Sequence, residues 1–192
     1  MKIQHLLLLT VLLALASGPV AQAQTVAAPG PTPDPHIYSD PAMTFTAPPD
    51  AVLLNRQPIA VDQLSNDLQP IAAWLLRAGK EDSRMIMLSM EAYSGAPNEW
   101  EGVFESQTHS SQDGVLIRNK TPMTLLNGMP ATFVEVAYGG GFDARKEYAV
   151  VWADGARGIV LAETTRLGDA GPEEAREVLK QATAVRYPDA QP

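Results

Sequence analysis

The chain has 192 residues and contains no cysteine. This composition excludes disulfide bonds, metal sites with cysteine ligands and a thiol nucleophile. The 14 Lys and Arg residues against 22 Asp and Glu residues leave a net charge of −8. A surface of that sign repels the phosphates of nucleic acids, so we expect no nucleic-acid partner.

The first 23 residues have the pattern of a secretory signal peptide. Lys2 precedes an apolar stretch at residues 6–16, and Ala21-Gln22-Ala23 supplies a small-x-small cleavage pattern. A transmembrane anchor is the alternative, but about 11 apolar residues are too few for the roughly 20 that cross a bilayer. A lipid anchor would need a cysteine. We therefore predict a secreted or periplasmic protein with no membrane span after cleavage and no lipid anchor.

A segment rich in proline and alanine, residues 24–38, follows the predicted cleavage point. Its prolines disfavour helix and central strand, so we interpret it as a tether. Residues 39–188 are predicted to form a single domain, and residues 189–192 a short tail. About 150 residues are enough to bury a core of their own.

Two short strands and a helical segment are predicted in the first part of the domain. Residues 43–46 alternate as a strand does, and residues 52–54 form a second short apolar run. From Asp62 to Arg77, apolar residues recur at helical spacing, which predicts a helix. Pro70 interrupts this segment, so two shorter helices are an open alternative.

Residues 84–92 are apolar on both alternating faces, which predicts a central strand that is covered on each side. A helix is predicted at residues 98–108, where Asn98 can cap the first turn. Trp100 and Phe104 fall on one face of this helix. We expect helices to cover the sheet.

The second part of the domain is predicted to be a meander of four antiparallel strands. Turn signals separate the strands at Asn127-Gly128, at residues 139–141 and at Asp154-Gly155. The predicted strands are residues 115–126, 129–138, 142–153 and 156–165.

A two-residue turn at Asn127-Gly128 would place Lys120 opposite Glu135. A final amphipathic helix is predicted to begin at Pro172. The order of all these elements predicts an α+β fold: a meander-rich antiparallel sheet with helices packed on its faces.

Three phrases resemble the PsbP-like superfamily, which includes PsbP, Mog and small exported bacterial proteins. They are Met43-Thr44-Phe45-Thr46-Ala47-Pro48, Leu126-Asn127-Gly128-Met129-Pro130-Ala131 and Val185-Arg186-Tyr187-Pro188. The resemblance implies an α/β/α sandwich. It also implies an accessory or binding protein, since these relatives mostly lack a catalytic constellation, and it supplies no catalytic residue.

The candidate partner-binding residues are Trp152 and Arg157. A two-residue turn at Asp154-Gly155 would set Trp152 opposite Arg157, with the guanidinium over the indole. Near a hairpin tip, this pair would form an exposed contact patch, because Trp and Arg are common interface anchors. The alternative is a Trp152 buried beneath a helix.

The rival function is an envelope hydrolase or small-ligand-binding protein whose site the fold assembles from Glu91, Glu101 and His109. A large pocket holding two carboxyls with perturbed pKa values would favour it. His109 and Asp113 supply too few ligands for a metal site, and residues 139–141 lie between strands rather than before a phosphate-binding helix. We therefore predict no metal, no cofactor and no enzymatic activity: an exported accessory or partner-binding module of the cell envelope.

Overall fold

The computed structural model describes residues 33–57, 59–77, 80, 83–111, 115–139, 145–166 and 171–187. The predicted signal peptide, most of the predicted tether and the predicted tail lie outside these residues. So do Asp113 and the second and third glycines of the predicted turn at 139–141.

The described chain forms ten strands and two α-helices. In chain order they are β1 (Ile37–Ser39), β2 (Met43–Thr46), β3 (Val52–Arg56), β4 (Gln69–Leu76), β5 (Arg84–Ala92), α1 (Trp100–Ser111), β6 (Leu116–Thr124), β7 (Pro130–Tyr138), β8 (Arg145–Ala153), β9 (Arg157–Arg166), α2 (Pro172–Leu179) and β10 (Thr183–Ala184). Short 3₁₀ turns occupy Val61–Gln63 and Pro97–Glu99. Among the residues described, neither helix is long and apolar enough to cross a membrane.

The strands form two antiparallel sheets, which makes the fold α+β. The large sheet has the order β3-β4-β5-β9-β8-β7-β6, and the small sheet has the order β1-β2-β10. Strands β6 to β9 are consecutive neighbours, so the predicted meander is confirmed. The predicted central strand at 84–92 is β5, and the predicted helices at 98–108 and from Pro172 are α1 and α2.

Each face of the large sheet has its own apolar core. Helix α1 packs Trp100 and Phe104 on one face. Helix α2, through Leu179, and the small sheet, through Phe45, contribute to the core on the other face. Side chains alternate along a strand, so β8 supplies both cores. Its residues Ala149 and Val151 lie on the α1 face, and Tyr148, Val150 and Trp152 lie on the other.

The predicted helix at residues 62–77 is wrong, because strand β4 occupies the second half of this segment and the first half contains only a short 3₁₀ turn. Ala72, Trp74 and Leu76 are buried at a spacing of two residues, as in a strand. Strand β4 pairs with β3 on one side and β5 on the other, so its backbone bonds are made in the sheet. Pro70 is tolerated near the start of the strand, beside a register shift.

The predicted pairing of Lys120 with Glu135 is also wrong: Lys120 pairs with Val134, and Glu135 with Asn119. The turn has a three-residue loop, since the Leu125 N–H donates to the Met129 carbonyl at 2.9 Å. Gly128 has a φ of +84°, as expected for the glycine that ends such a loop. The extra loop residue shifts the register by one position and turns Lys120 toward α1.

The domain begins before residue 39, the predicted boundary. Trp74 Nε1 donates to the Pro35 carbonyl at 2.9 Å, and Arg56 Nη2 donates to the Asp34 carbonyl at 3.0 Å. Tyr38 is buried within β1. The end of the predicted tether is therefore part of the folded domain.

Candidate functional site

An open cleft of about 390 Å³ lies at the end of the large sheet where β5 and β8 finish and β7 and β9 begin. Three turns and the segment after β10 surround it. Its lining residues, which we call the turn-end cleft, are Ser94, Gly95, Ala96, Pro97, Met129, Ala153, Asp154, Gly155 and Arg186. Turns held by a sheet are a common place for binding sites.

The β8–β9 turn is held by the side chain of its own first residue. Asp154 Oδ1 accepts hydrogen bonds from the backbone N–H groups of Ala156 and Arg157, at 3.0 and 2.9 Å. Gly155 has a φ of +97°, which favours glycine at this position. The wall of the cleft is therefore fixed by local hydrogen bonds.

Behind this wall lies a buried ion cluster centred on Arg157. Its Nη2 lies 2.7 Å from Asp154 Oδ2, and its Nη1 lies 2.5 Å from Asp40 Oδ2. The guanidinium also stacks over Tyr187, 5.0 Å from the ring centroid. Because Asp40 follows β1 and Tyr187 follows β10, one side chain joins the turn to two further segments of the chain. We call Asp40, Asp154 and Arg157 the Arg157 cluster.

Asp40 and Arg157 each favour the charged form in the cluster. Burial alone would raise the pKa of Asp40, but hydrogen bonds from Arg157 and from the backbone of Ala42 and Met43 lower it below its ordinary value. Burial would lower the pKa of Arg157, and the two carboxylates reverse this and raise it. A charged cluster buried in this way fixes geometry, since any movement would separate charges out of water.

Trp152 and Arg157 are not the exposed pair that the sequence predicted, because both side chains are buried. The two-residue loop is Gly155-Ala156 rather than the predicted Asp154-Gly155, since the Asp154 N–H donates to the Arg157 carbonyl. Trp152 therefore pairs with Ile159 instead of Arg157. The guanidinium therefore stacks on Tyr187 rather than on Trp152. The register and the exposure that the prediction assumed are wrong, and a role for either residue in a partner contact stays a prediction.

Glu91, Glu101 and His109 do not form one site. Glu91 is buried on β5 and accepts a hydrogen bond from Gln107 Nε2 at 2.8 Å, and burial raises its pKa. Glu101 lies 2.7 Å from Lys120, whose hydrogen bond lowers the pKa of Glu101. His109 is exposed on α1. No group of three or more candidate metal ligands occurs among the described residues.

Exposed apolar side chains occur on two of the segments that line the cleft. Leu126, in the turn before Met129, is 63% exposed, and Val185, next to Arg186, is 53% exposed. Hydrogen bonds join the β6–β7 turn to β10 and the residue before it, since the Leu126 N–H donates to the Ala182 carbonyl at 3.0 Å and Asn127 Nδ2 donates to the Ala184 carbonyl at 2.7 Å. No local sequence pattern indicates this surface, because the β6–β7 turn and the segment after β10 are far apart along the chain.

Comparison with known proteins finds similar solved structures but no family. No family model and no curated protein match the chain. Among solved structures, LpqN of Mycobacterium tuberculosis, which is involved in cell envelope biogenesis, has 18% identity and a TM-score of 0.50, over 77% of this chain and 87% of that one. PA94 of Pseudomonas aeruginosa, a protein of unknown function, has 13% identity and a TM-score of 0.47, over 62% of this chain and 85% of that one. At such identities, the likeness to LpqN concerns the fold alone.

Proposed function

We propose that this chain is an exported, non-enzymatic accessory module of the cell envelope that binds a protein partner through the turn-end cleft. The signal-peptide pattern of residues 1–23 supports export. The envelope role of LpqN is compatible with this location. The presence of an apolar core on each face of the large sheet supports the α/β/α sandwich that the PsbP-like resemblance implies.

The observation that carries this proposal is the cleft itself, with exposed Leu126 and Val185 on the segments that line it. Exposed apolar side chains on the segments that border a depression are typical of contact surfaces. The Arg157 cluster keeps the cleft wall in place before a partner arrives, which reduces the ordering cost of binding.

The partner we propose is a protein segment with an apolar anchor flanked by basic residues. The anchor would enter the cleft, and the basic flanks would meet a chain whose net charge is −8. Opposite charges at the rim raise the rate of association, so we expect capture to weaken as salt increases.

The test is capture of partners from an envelope extract of the source cells on immobilised mature protein, with identification by mass spectrometry. Leu126→Asp is expected to lose the captured partner without unfolding, because Leu126 is exposed. Leu54→Asp is the matched control, since Leu54 is 54% exposed on the edge strand β3, and no residue of β3 lines the cleft, whereas the turn that carries Leu126 also carries the lining residue Met129. Equal capture by wild type and Leu126→Asp would contradict the cleft as the contact surface.

Export is tested separately by N-terminal analysis of the protein recovered from cells. Cleavage after Ala23 predicts a mature chain that starts at Gln24. An intact Met1 on protein from the membrane fraction would contradict export by signal cleavage.

A further inference from the structure

A second cavity, of about 230 Å³, lies between α1 and the face of the large sheet that α1 covers. We call it the α1 cavity. Its apolar walls come from both elements: Met87, Val160 and Ala162 from β5 and β9, and Phe104 from α1. This volume lies below the roughly 300–1,000 Å³ of pockets for drug-sized ligands, so an occupant has to be compact.

One polar atom on a residue that lines the α1 cavity lacks a hydrogen-bond partner. Gln107 Oε1 is buried and has no partner among the described residues, because the amide is oriented so that Nε2 donates to Glu91. A buried acceptor that stays unpaired is costly inside a protein, so this oxygen favours a ligand that can donate a hydrogen bond.

The carboxyl group of Glu147 adds a charge to the same cavity. It accepts hydrogen bonds from Tyr138 Oη at 3.2 Å and Thr164 Oγ1 at 3.4 Å. No Lys or Arg among the described residues forms an ion pair with it. Burial raises the pKa of Glu147, as expected for a carboxylate that lacks a cation.

We propose that the α1 cavity binds a compact organic amine, with the ammonium group at Glu147 and Gln107 and the apolar body against Met87, Ala162 and Phe104. An ammonium group has three donors and no acceptor, which complements an uncompensated carboxylate and an unpaired amide oxygen. A carboxylate ligand would be repelled by Glu147, and a neutral alcohol would leave its charge uncompensated. This site is separate from the turn-end cleft and from the proposed function.

Benzylamine is the probe, and benzyl alcohol and benzoate are its neutral and anionic counterparts. Binding to the mature protein is followed by NMR chemical-shift titration at pH 7. We expect saturable shifts at α1-cavity residues with benzylamine, and binding weaker by about tenfold or more with the alcohol and benzoate. Equal affinity for the amine and the alcohol would overturn the proposal, as would the absence of saturable shifts.

Three variants make the test specific. Glu147→Gln keeps the size of the side chain and removes its charge, so benzylamine binding is expected to fall about thirtyfold or more. Ala162→Leu fills the cavity from the sheet without changing a polar group, and is also expected to abolish binding. Glu135→Gln is the matched control, because Glu135 lies on β7 with its side chain on the opposite face of the sheet.

Melting curves of each variant establish that it is folded. If Glu147→Gln does not fold, Ala162→Leu decides the test. Unchanged benzylamine affinity in a folded Glu147→Gln or Ala162→Leu protein would refute the site, and so would an equal loss of affinity in Glu135→Gln.

Discussion

Replacing Arg157 by methionine is expected to remove a large part of the stability of the domain. Arg157 is 2% exposed, and it is the partner of two carboxylates: Asp154, which is fully buried, and Asp40, which is 14% exposed. Methionine keeps much of the apolar stem but leaves both carboxylates without a cation. Removing one partner of a buried ion pair costs about 3–5 kcal/mol. The free energy of unfolding of a typical protein is about 5–15 kcal/mol in all.

Thermal unfolding at pH 7, followed by circular dichroism, measures this loss. For a domain of this size, about 2–4 °C of melting temperature corresponds to 1 kcal/mol, so Arg157→Met should lower Tm by about 6–20 °C. Arg157→Lys keeps the charge but loses the planar fork that reaches two carboxylates, and should fall between wild type and Arg157→Met. Arg118→Met is the control, since Arg118 is exposed on β6, and should change stability by about 0.5 kcal/mol or less.

The effect of Arg157→Met should depend on pH in a defined direction. The pKa of Asp40 is lowered below its ordinary value of 3.8 in the folded protein, so its contribution is present above that pH and is lost as the pH falls through the folded pKa. In Arg157→Met, burial without the cation raises the pKa of Asp40, so protonation relieves the variant as the pH falls. The difference between wild type and Arg157→Met should therefore be largest at pH 7 and shrink steadily toward acid pH. A loss of less than about 2 °C at pH 7 would refute the reasoning that the cluster fixes the turn end.

Three further substitutions test the α1 face. Glu147→Gln should raise the melting temperature at pH 7. Glu147 is partly buried, and desolvation raises the pKa of its carboxyl in the folded protein, so its contribution to stability is present while it is protonated and is lost as the pH rises through the folded pKa. Melting curves at pH 7 and pH 4 should therefore show a gain that vanishes below the ordinary pKa of 4.5. Gly158→Ala should destabilise by about 1–3 kcal/mol in denaturant titrations, since its Cβ would lie 2.5 Å from the buried Trp100 ring. Gly102→Ala in α1, where a Cβ meets nothing within 4 Å, should instead stabilise by about 0.5–1 kcal/mol, and equal effects of the two changes would contradict the packing.

The strands of the meander could be predicted because their signals are local. Alternating side chains and turn residues lie within a few positions of one another, and β6 to β9 follow them. The segment at residues 62–77 could not be assigned in the same way, because its apolar residues fit both a helical and an alternating spacing. The choice depends on pairing with β3 and β5, which is a property of the whole sheet.

The candidate site was less accessible to sequence reasoning than the fold. The turn at Asp154-Gly155 was located from its residues, and it does line the turn-end cleft. Its details depend on distant partners: Arg157 meets Asp40 across 117 positions of the chain. A hairpin tip was expected to be exposed, but Tyr187 and the loop after β1 cover Arg157. No local sequence pattern indicates that these two segments cover Arg157.

The turn-end cleft and the α1 cavity should act independently, although strand β8 contributes to both. Ala153 lines the cleft and Glu147 lines the cavity, six positions apart, which corresponds to about 20 Å along a strand. Between them, α1 is fixed on the sheet by Trp100, whose indole lies against Gly158 and donates to the Ile159 carbonyl at 3.2 Å. Energetic coupling between the two sites would require a structural element that switches between two conformations. A helix packed on the sheet in this way has a single conformation.

If the two sites are independent, a substitution at one site should leave binding at the other unchanged. Leu126→Asp should leave the benzylamine dissociation constant within about twofold of wild type, and Glu147→Gln should leave partner capture unchanged, because neither change reaches the other site. Chemical-shift titration measures the affinity for benzylamine, and quantitative capture measures partner binding, both on the same protein preparations. A cleft variant that weakens benzylamine about tenfold would demonstrate coupling, and by reciprocity the amine would then regulate the partner.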